Sequence, residues 1–370
     1  MNAKYYKTIG LLREMSVMCR RFTLPMKLIK SRFWLSPSYY PELPQKSRMR
    51  IFMELLLHIF RYGSIEWNYF SYGLDIKNWR NANAYIDDSW FLWKSSMLNT
   101  VKVDYDYTVL LRDKILFSNY VSNIGYKTPR IVMQLPLIQE IPTNAQIDRL
   151  LANAGGGLIF KPFGGQCGKG IFKVYNNDEK WYVGDICVAR SKLVETINQI
   201  LPKVPYIVQE LVVQHSVLNQ IYDKSVNTLR LVTVSVSRNS RVVPLSAVLR
   251  VGAYGNSVDN WAQGGLAIGV DLNTGRLKQY GFYKHGLGTK TEYHPDSGVK
   301  FSNIMLPFFK LAVDQACSLH SFFGEIRIIG WDIAFSPDGP VFIEGNDNME
   351  ISINQEANDG LKYELLQLIK

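Results

Sequence analysis

Residues Gly330 to Ile351, GWDIAFSPDGPVFIEGNDNMEI, hold two apolar segments of strand character on either side of Pro-Asp-Gly. Proline presets a turn and glycine relieves one, so the stretch reads as a β-hairpin. Each arm carries a carboxylate where a sheet would otherwise be apolar: Asp332 in the first, Glu344 in the second, with Asn346 two residues further on. If Pro337-Asp338-Gly339 forms a three-residue loop, Ser336 pairs with Pro340 and Asp332 falls opposite Glu344. Opposed residues share a face with Cβ atoms about 5 Å apart, and Asn346 points the same way as Glu344. A two-residue loop would shift the pairing by one and break the set. Two carboxylates in contact are costly unless a cation lies between them, and Mg2+ takes oxygen donors of this kind. The competing reading is a pair of solvated acids on an outer sheet face.

A glycine-rich segment, LIFKPFGGQCGKGIFKV, supplies the second signal. It reads as strand, loop, strand. Unshielded N–H groups at Gly164, Gly165, Gly168 and Gly170 can close over phosphate oxygens, with Lys161 and Lys169 supplying positive charge. This is not a Walker A loop, which spaces its glycines by four residues, ends in Ser/Thr and opens a helix. Here three residues separate Gly164 from Gly168, and IFKV continues as a strand. An ordinary glycine-rich hairpin fits the same pattern.

The rest of the chain surrounds these segments with an α+β framework. Up to about residue 105, stretches such as MRIFMELLLHIFRYG and DDSWFLWKSSMLNT repeat apolar residues at helical spacing. DYTVLLRDKILFSNYVSNIG reads as one helix ending at Gly125, with RIVMQ extended beyond Pro129. YIVQEL, NTLRLVTVSV, RVVPLSAVLRV, LAIGVDL and RIIGWDIAF are strand candidates, and short turns such as the one in DLNTGRLKQY make the sheet antiparallel. SNIMLPFFKLAVDQACSLHSFFG and QEANDGLKYELLQLIK are late helices. The expected division is a basic, mostly helical region (1–105), a lobe with the glycine loop (106–205) and a lobe with the carboxylates (206–370).

Composition narrows the function classes. At 370 residues, with 47 % hydrophobic and 20 % charged residues, the chain can bury more than one core. Four scattered cysteines without a C-x-x-C pair exclude a zinc knuckle and a disulfide framework, and fit a reducing cytoplasm. Of the net charge of +10, residues 1–50 carry +9: eleven Lys/Arg against Glu14 and Glu42. Interleaved with Phe22, Leu24, Met26, Leu28, Ile29, Phe33 and Trp34, this segment suits an anionic membrane surface or an acidic substrate; equally, it is a solvated basic segment docked on the main body. No apolar run reaches the roughly 20 residues of a membrane span, and charges break up any signal-peptide core. The expected location is the cytoplasm, with peripheral contact at the inner membrane face. Nucleic acid is not an expected partner, since the basic excess is confined to one end and no recognised module accompanies it.

A Lys-Pro strand before a glycine loop, a hydrophobic strand ending in Gln-Glu-Leu, and a late Asp followed by Glu-x-Asn together resemble the ATP-grasp superfamily. SVNTLRLVTV, VDNWAQGG and GWDIAFSPDGPVFIEGN are most similar to its branch associated with sugar transfer and polysaccharide loci, over roughly residues 106–360. The resemblance implies two α+β lobes clasping ATP. It implies phosphate contacts from Lys114, Lys161 and the flap Gly164–Gly170, including Gly165, Gly168 and Lys169. It implies an adenine-reading linker at Gln209, Glu210 and Leu211 with Val213 near the base, and Mg2+ ligands Asp332, Glu344 and Asn346. Arg230, Arg250 and Asn260 take places where related ligases hold phosphate and the acyl substrate. The acidic ribose contact of other branches has no counterpart; Gln214 and His215 are nearest. The implied activity is an ATP-dependent carboxylate–amine ligase working through an acyl phosphate on a sugar-linked carboxylate and amine. A glycan kinase and a non-catalytic, membrane-proximal assembly factor are the alternatives.

Overall fold

The structure, a computed structural model, describes residues 3–100, 106–135, 143–154, 157–163, 170–177, 180–184, 186–201, 204–236 and 241–369. Two antiparallel sheets carry the chain beyond residue 130. The first contains β1 (Ile131–Leu135), β2 (Leu158–Pro162), β3 (Phe172–Asn177), β4 (Lys180–Val183), β5 (Ile186–Val188) and β6 (Tyr206–Glu210), in the order β1-β6-β2-β3-β4-β5. Its core joins Leu158, Phe160 and Val174 to Ile147, Leu193 and Ile197 of the helices Asn144–Asn153 and Leu193–Ile200. The glycine loop connects β2 to β3, which pair antiparallel with Phe160 opposite Phe172.

The second sheet contains β7 (Thr228–Ser235), β8 (Val242–Val251), β9 (Leu266–Val270), β10 (Leu277–Tyr283), β11 (Lys290–Thr291), β12 (Ile328–Ser336) and β13 (Gly339–Asn346), in the order β11-β10-β9-β8-β7-β12-β13. Both faces are covered. Leu229, Leu231 and Trp331 join a core with helices Lys114–Asn123 and Phe309–Ser321, while Val232, Val234 and Ile328 join another with Phe91, Met349 and Leu365. Alternation along a strand sends successive side chains to opposite cores, which is why these strands read as unbroken apolar runs.

The Pro-Asp-Gly hairpin exists, with a different turn. Ser336 pairs with Gly339, not Pro340, so the loop is the two-residue Pro337-Asp338. That shift would have displaced the acids, but the register slips again between Ile333 and Asp332: Ile333 pairs with Phe342 and Asp332 with Glu344. Ile343 is the extra residue of a β-bulge, and it restores the expected opposition. Two expected helices are also divided. Asp113, extended, separates Val109–Arg112 from Lys114–Asn123. Asp359, at φ 74°, separates Ser352–Asn358 from Lys362–Leu368.

The N-terminal region is docked on the second sheet. Helices Ala3–Ser31 and Arg48–Tyr62 share Leu28, Ile51, Leu55 and Ile59 with the buried aromatics Tyr69, Phe70 and Tyr72 and with Phe282 of β10. The Tyr39 hydroxyl donates to the Gly288 carbonyl at 2.9 Å. Among the described residues no helix is long and apolar enough to cross a membrane.

Candidate functional site

The site lies where the two sheets face each other. Lys161 is on β2, paired with Ile207 of β6. Burial holds its ammonium below the usual lysine range, the Glu344 carboxylate on β13 opposes that shift, and Lys114 adds to it. Groups from the first sheet, the second sheet and a helix therefore share one space. Lys114 opens its helix because the Asp113 carboxylate caps it, accepting from the N–H groups of Ile115 (2.8 Å) and Leu116 (3.0 Å). Its ammonium donates to the Phe163 carbonyl, 3.3 Å away at the end of β2.

Asp332 is the hub of the opposite wall. On β12 it stands between Arg230 of β7 and Glu344 of β13. Arg230 donates to it through Nε (2.5 Å) and Nη2 (3.2 Å), and Arg250 of β8 through Nη2 (2.9 Å). Burial alone would raise the Asp332 pKa; the two guanidinium groups outweigh it and hold the carboxyl well below the usual range. Glu344 goes the other way, raised by burial and then by the Asp332 charge. Asp259 is a third acid, raised by burial against the pull of Arg250, and it accepts from the Thr228 N–H (3.0 Å) and hydroxyl. Arg250 reaches Thr228 Oγ1 as well, at 2.6 Å.

Buried Asp332 and half-buried Asp259 and Glu344 thus face two guanidinium groups, and Glu344 is the acid left without its own arginine. A carboxylate offers about four acceptor positions: Arg230 and Arg250 use three on Asp332, and the fourth meets the Glu344 carboxyl, a contact that a bound cation would replace. Asn346 spends Nδ2 on the Gly330 carbonyl (3.3 Å) and Glu344 Oε1 (3.4 Å), so its Oδ1 remains available. Glu344, Asn346 Oδ1 and the position on Asp332 that meets Glu344 form a set of hard oxygen donors, which fits Mg2+.

The strand β6 leads out of the first sheet into the linker. Gln209 is buried and donates to the Pro129 carbonyl (3.2 Å), Glu210 is ion-paired with Arg130, and Leu211 N–H donates to the Gly157 carbonyl (3.0 Å). Val213 is exposed. His215 caps the helix Ser216–Ile221, its Nδ1 accepting from Val217 N–H at 3.2 Å. Gln214 turns inward, donating to the Tyr222 carbonyl (2.9 Å) and accepting from Asn227 N–H (2.6 Å), which commits it to the fold. Asn260 caps the turn Trp261–Gln263 through Oδ1 and Ala262 N–H (2.9 Å). Gly170 is at φ 76°, and its carbonyl accepts from the Tyr206 hydroxyl at 3.0 Å. Gly164, Gly165, Gly168 and Lys169 lie outside the described residues.

Sequence reasoning missed Thr228, Asp259, Tyr206 and the ion pair of Arg112 with Asp347 (3.1 and 2.6 Å) immediately after Asn346. Asp259 adjoins Asn260 in VDN, but no spacing rule ties it to Thr228.

Two antiparallel sheets, with lysines on one and a carboxylate and amide set on the other, suit the ATP-grasp class of protein. The chain matches the family described as sugar-transfer associated ATP-grasp over residues 98–370 and belongs to it. Among solved structures it is similar to D-alanine–D-alanine ligase from Bacillus anthracis, at 13 % identity over 71 % of this chain and 67 % of that one, TM-score 0.38. It is also similar to the ATP-grasp ligase PsnB complexed with a minimal precursor, Mg and ADP (14 %, 75 % and 64 %, TM-score 0.38). A third is N5-carboxyaminoimidazole ribonucleotide synthetase from Thermotoga maritima (12 %, 65 % and 43 %, TM-score 0.35). The chain therefore spans between 43 and 67 % of the lengths of these proteins. No curated protein sequence matches it significantly.

Proposed function

We propose that this protein is an ATP-dependent carboxylate–amine ligase that joins an amino acid or amine to a sugar or glycan precursor in cell-surface polysaccharide biosynthesis. The observation that carries the reading is the hold of Arg230 and Arg250 on Asp332 opposite Glu344, with Lys114 reaching the end of the Lys161 strand. The family's association with sugar transfer supports the acceptor class.

In this reading Lys114, Lys161 and the loop Gly164–Gly170 bind the phosphates of ATP. The Gln209–Leu211 backbone and Val213 hold the adenine, and His215 is the remaining ribose candidate. Glu344, Asn346 and Asp332 would hold Mg2+, which when bound adds positive charge against the triphosphate. A substrate carboxylate oxygen attacks the γ-phosphorus, the bond to the ADP oxygen breaks, and an acyl phosphate forms. The lone pair of the amine then attacks the acyl carbon, phosphate departs, and the amine loses its proton to leave an amide. Arg230 and Arg250 are rigid cations whose reorganisation cost is already met by Asp332, so they stabilise the anionic intermediate with little further movement. Asn260 orients the acyl substrate. The loop excludes water, which would otherwise hydrolyse the acyl phosphate.

Turnover of ATP measured with carboxylate, amine, both or neither tests the proposal. ADP and inorganic phosphate formed only with both substrates supports ligation. ADP with a phosphorylated sugar would make the protein a kinase, and no turnover with any sugar-linked carboxylate and amine pair would leave the assembly-factor reading.

A further inference from the structure

The first two helices carry a surface that the ATP site does not use. They run antiparallel: Gly63, which closes Arg48–Tyr62, lies against Val17, while Leu28 and Ile51 share a core. On the first helix Met15, Met18, Phe22, Met26 and Ile29 recur at steps of three and four residues, and all are exposed, Phe22 at 78 %. On the second, Met49, Met53, Leu57 and Phe60 do the same on the side away from buried Ile51, Leu55 and Ile59. A helix stabilised only by its inner face would carry polar residues at these outer positions. Nine large apolar side chains in two periodic stripes form a surface that water does not favour.

Its charge selects the occupant. Arg20, Lys27 and Lys30 on the first helix, Arg32 just beyond it and Arg50 on the second are exposed, and no acidic residue occurs between Met15 and Pro41. The one acid of the second helix, Glu54, is taken by Lys46 (2.8 Å) and Arg50 (3.0 Å). A second copy of this chain would bring cations against cations. An anionic bilayer answers both features, taking the apolar stripes at the acyl boundary and the cations at the headgroups.

We infer that the hairpin of helices Ala3–Ser31 and Arg48–Tyr62 is a peripheral docking surface for anionic phospholipid, lying in the membrane plane. The inference is independent of the reaction catalysed at the ATP site.

The test is sedimentation of the full chain with vesicles of phosphatidylcholine alone and of phosphatidylcholine mixed with phosphatidylglycerol. The expected result is binding to the mixed vesicles that weakens as ionic strength rises. Two variants at exposed positions should each lower the partition coefficient roughly tenfold or more while leaving the thermal unfolding midpoint in place: Phe22→Ser with Met26→Ser and Leu57→Ser, and separately Arg20→Glu with Lys30→Glu. Absence of phosphatidylglycerol-dependent binding by the wild type overturns the inference, as does binding that both variants retain. So does light scattering that finds a dimer of the wild type converted to monomer by the serine variant, which would assign the face to a second copy.

Discussion

Asp332 and Glu344 oppose each other on one hairpin, yet their surroundings assign them different charges. Asp332 is ionised because Arg230 and Arg250 hold it there; Glu344 is pushed toward its neutral form by burial and by Asp332. Asp332→Asn should therefore destabilise the protein by about 2–4 kcal/mol, since it leaves the part-buried Arg230 without its ion pair and Arg250 with Asp259 alone. Glu344→Gln should abolish turnover and leave the fold intact, because it mimics the form that burial already favours. The pH dependence separates the two. A raised folded-state pKa stabilises only below it, so the wild type loses stability as pH rises from the ordinary glutamate value of 4.5 through the raised Glu344 pKa, while the Gln variant does not. The gap between their melting temperatures should widen across that window. Mg2+ at neutral pH should raise the wild-type midpoint and leave that of the variant unmoved; equal shifts would remove Glu344 from the metal site. At this scale the sequence was half legible. Asp332 and Glu344 could be matched within one hairpin, but the arginines lie 102 and 82 residues from Asp332, beyond any local periodicity.

Elements, more than residues, decide whether the set is presented to the cleft. Pro-Asp-Gly is compatible with a loop of two residues or three, and glycine at φ 118° in Gly339 serves the shorter one. The correct opposition was thus reached from an incorrect turn, because a bulge at Ile343 compensated, and bulges leave no sequence signature as firm as a turn. Strands β4 and β5 were missed for a related reason: at four and three residues they are too short for alternation to register. The helix Ser352–Asn358, which follows the carboxylate strand, is seated against β9 by a glycine. A Cβ on Gly269 would meet the Ala357 carbonyl oxygen at 2.2 Å, a backbone atom that moves only if the helix moves. Gly269→Ala should cost about 1–3 kcal/mol in chemical denaturation. It should also increase amide exchange in residues 352–358 ahead of the rest of the sheet. A stability unchanged from wild type would mean the helix is not held at that distance.

The whole molecule is tied together by contacts that no segment read alone reveals. The early stretches were legible as helices, and their basic charge left open whether they were docked or free. Besides the apolar core they share with Phe282, polar pairing across hundreds of residues docks this region. Buried Gln355 accepts from Ile86 N–H at 2.7 Å and donates to its carbonyl at 2.9 Å. Asp88 caps the start of the helix Ser352–Asn358 from outside, its carboxylate accepting from the N–H groups of Ile351 (2.9 Å) and Ser352 (3.0 Å). The family match begins at residue 98, after Ile86 and Asp88. A chain of residues 98–370 would keep both sheets but expose Phe282 and leave those two buried donors unsatisfied. It should fail to give a cooperative unfolding transition, whereas the full chain should give one. Two substitutions resolve the cause without truncation. Asp88→Ala removes the acceptor and should cost about 1–3 kcal/mol, the desolvation penalty of unpaired buried donors. Asp88→Asn keeps an acceptor oxygen and should cost less. Burial raises the Asp88 pKa to about 6 in the folded protein, above its ordinary 3.8, so its ionisation opposes folding as pH rises through 6. The Asn variant should therefore gain on the wild type between about pH 4 and 6, the window from the ordinary aspartate value to the raised one. A difference between Asn and wild type that stays constant across that range would show that Asp88 is not the cap on which the carboxylate lobe rests.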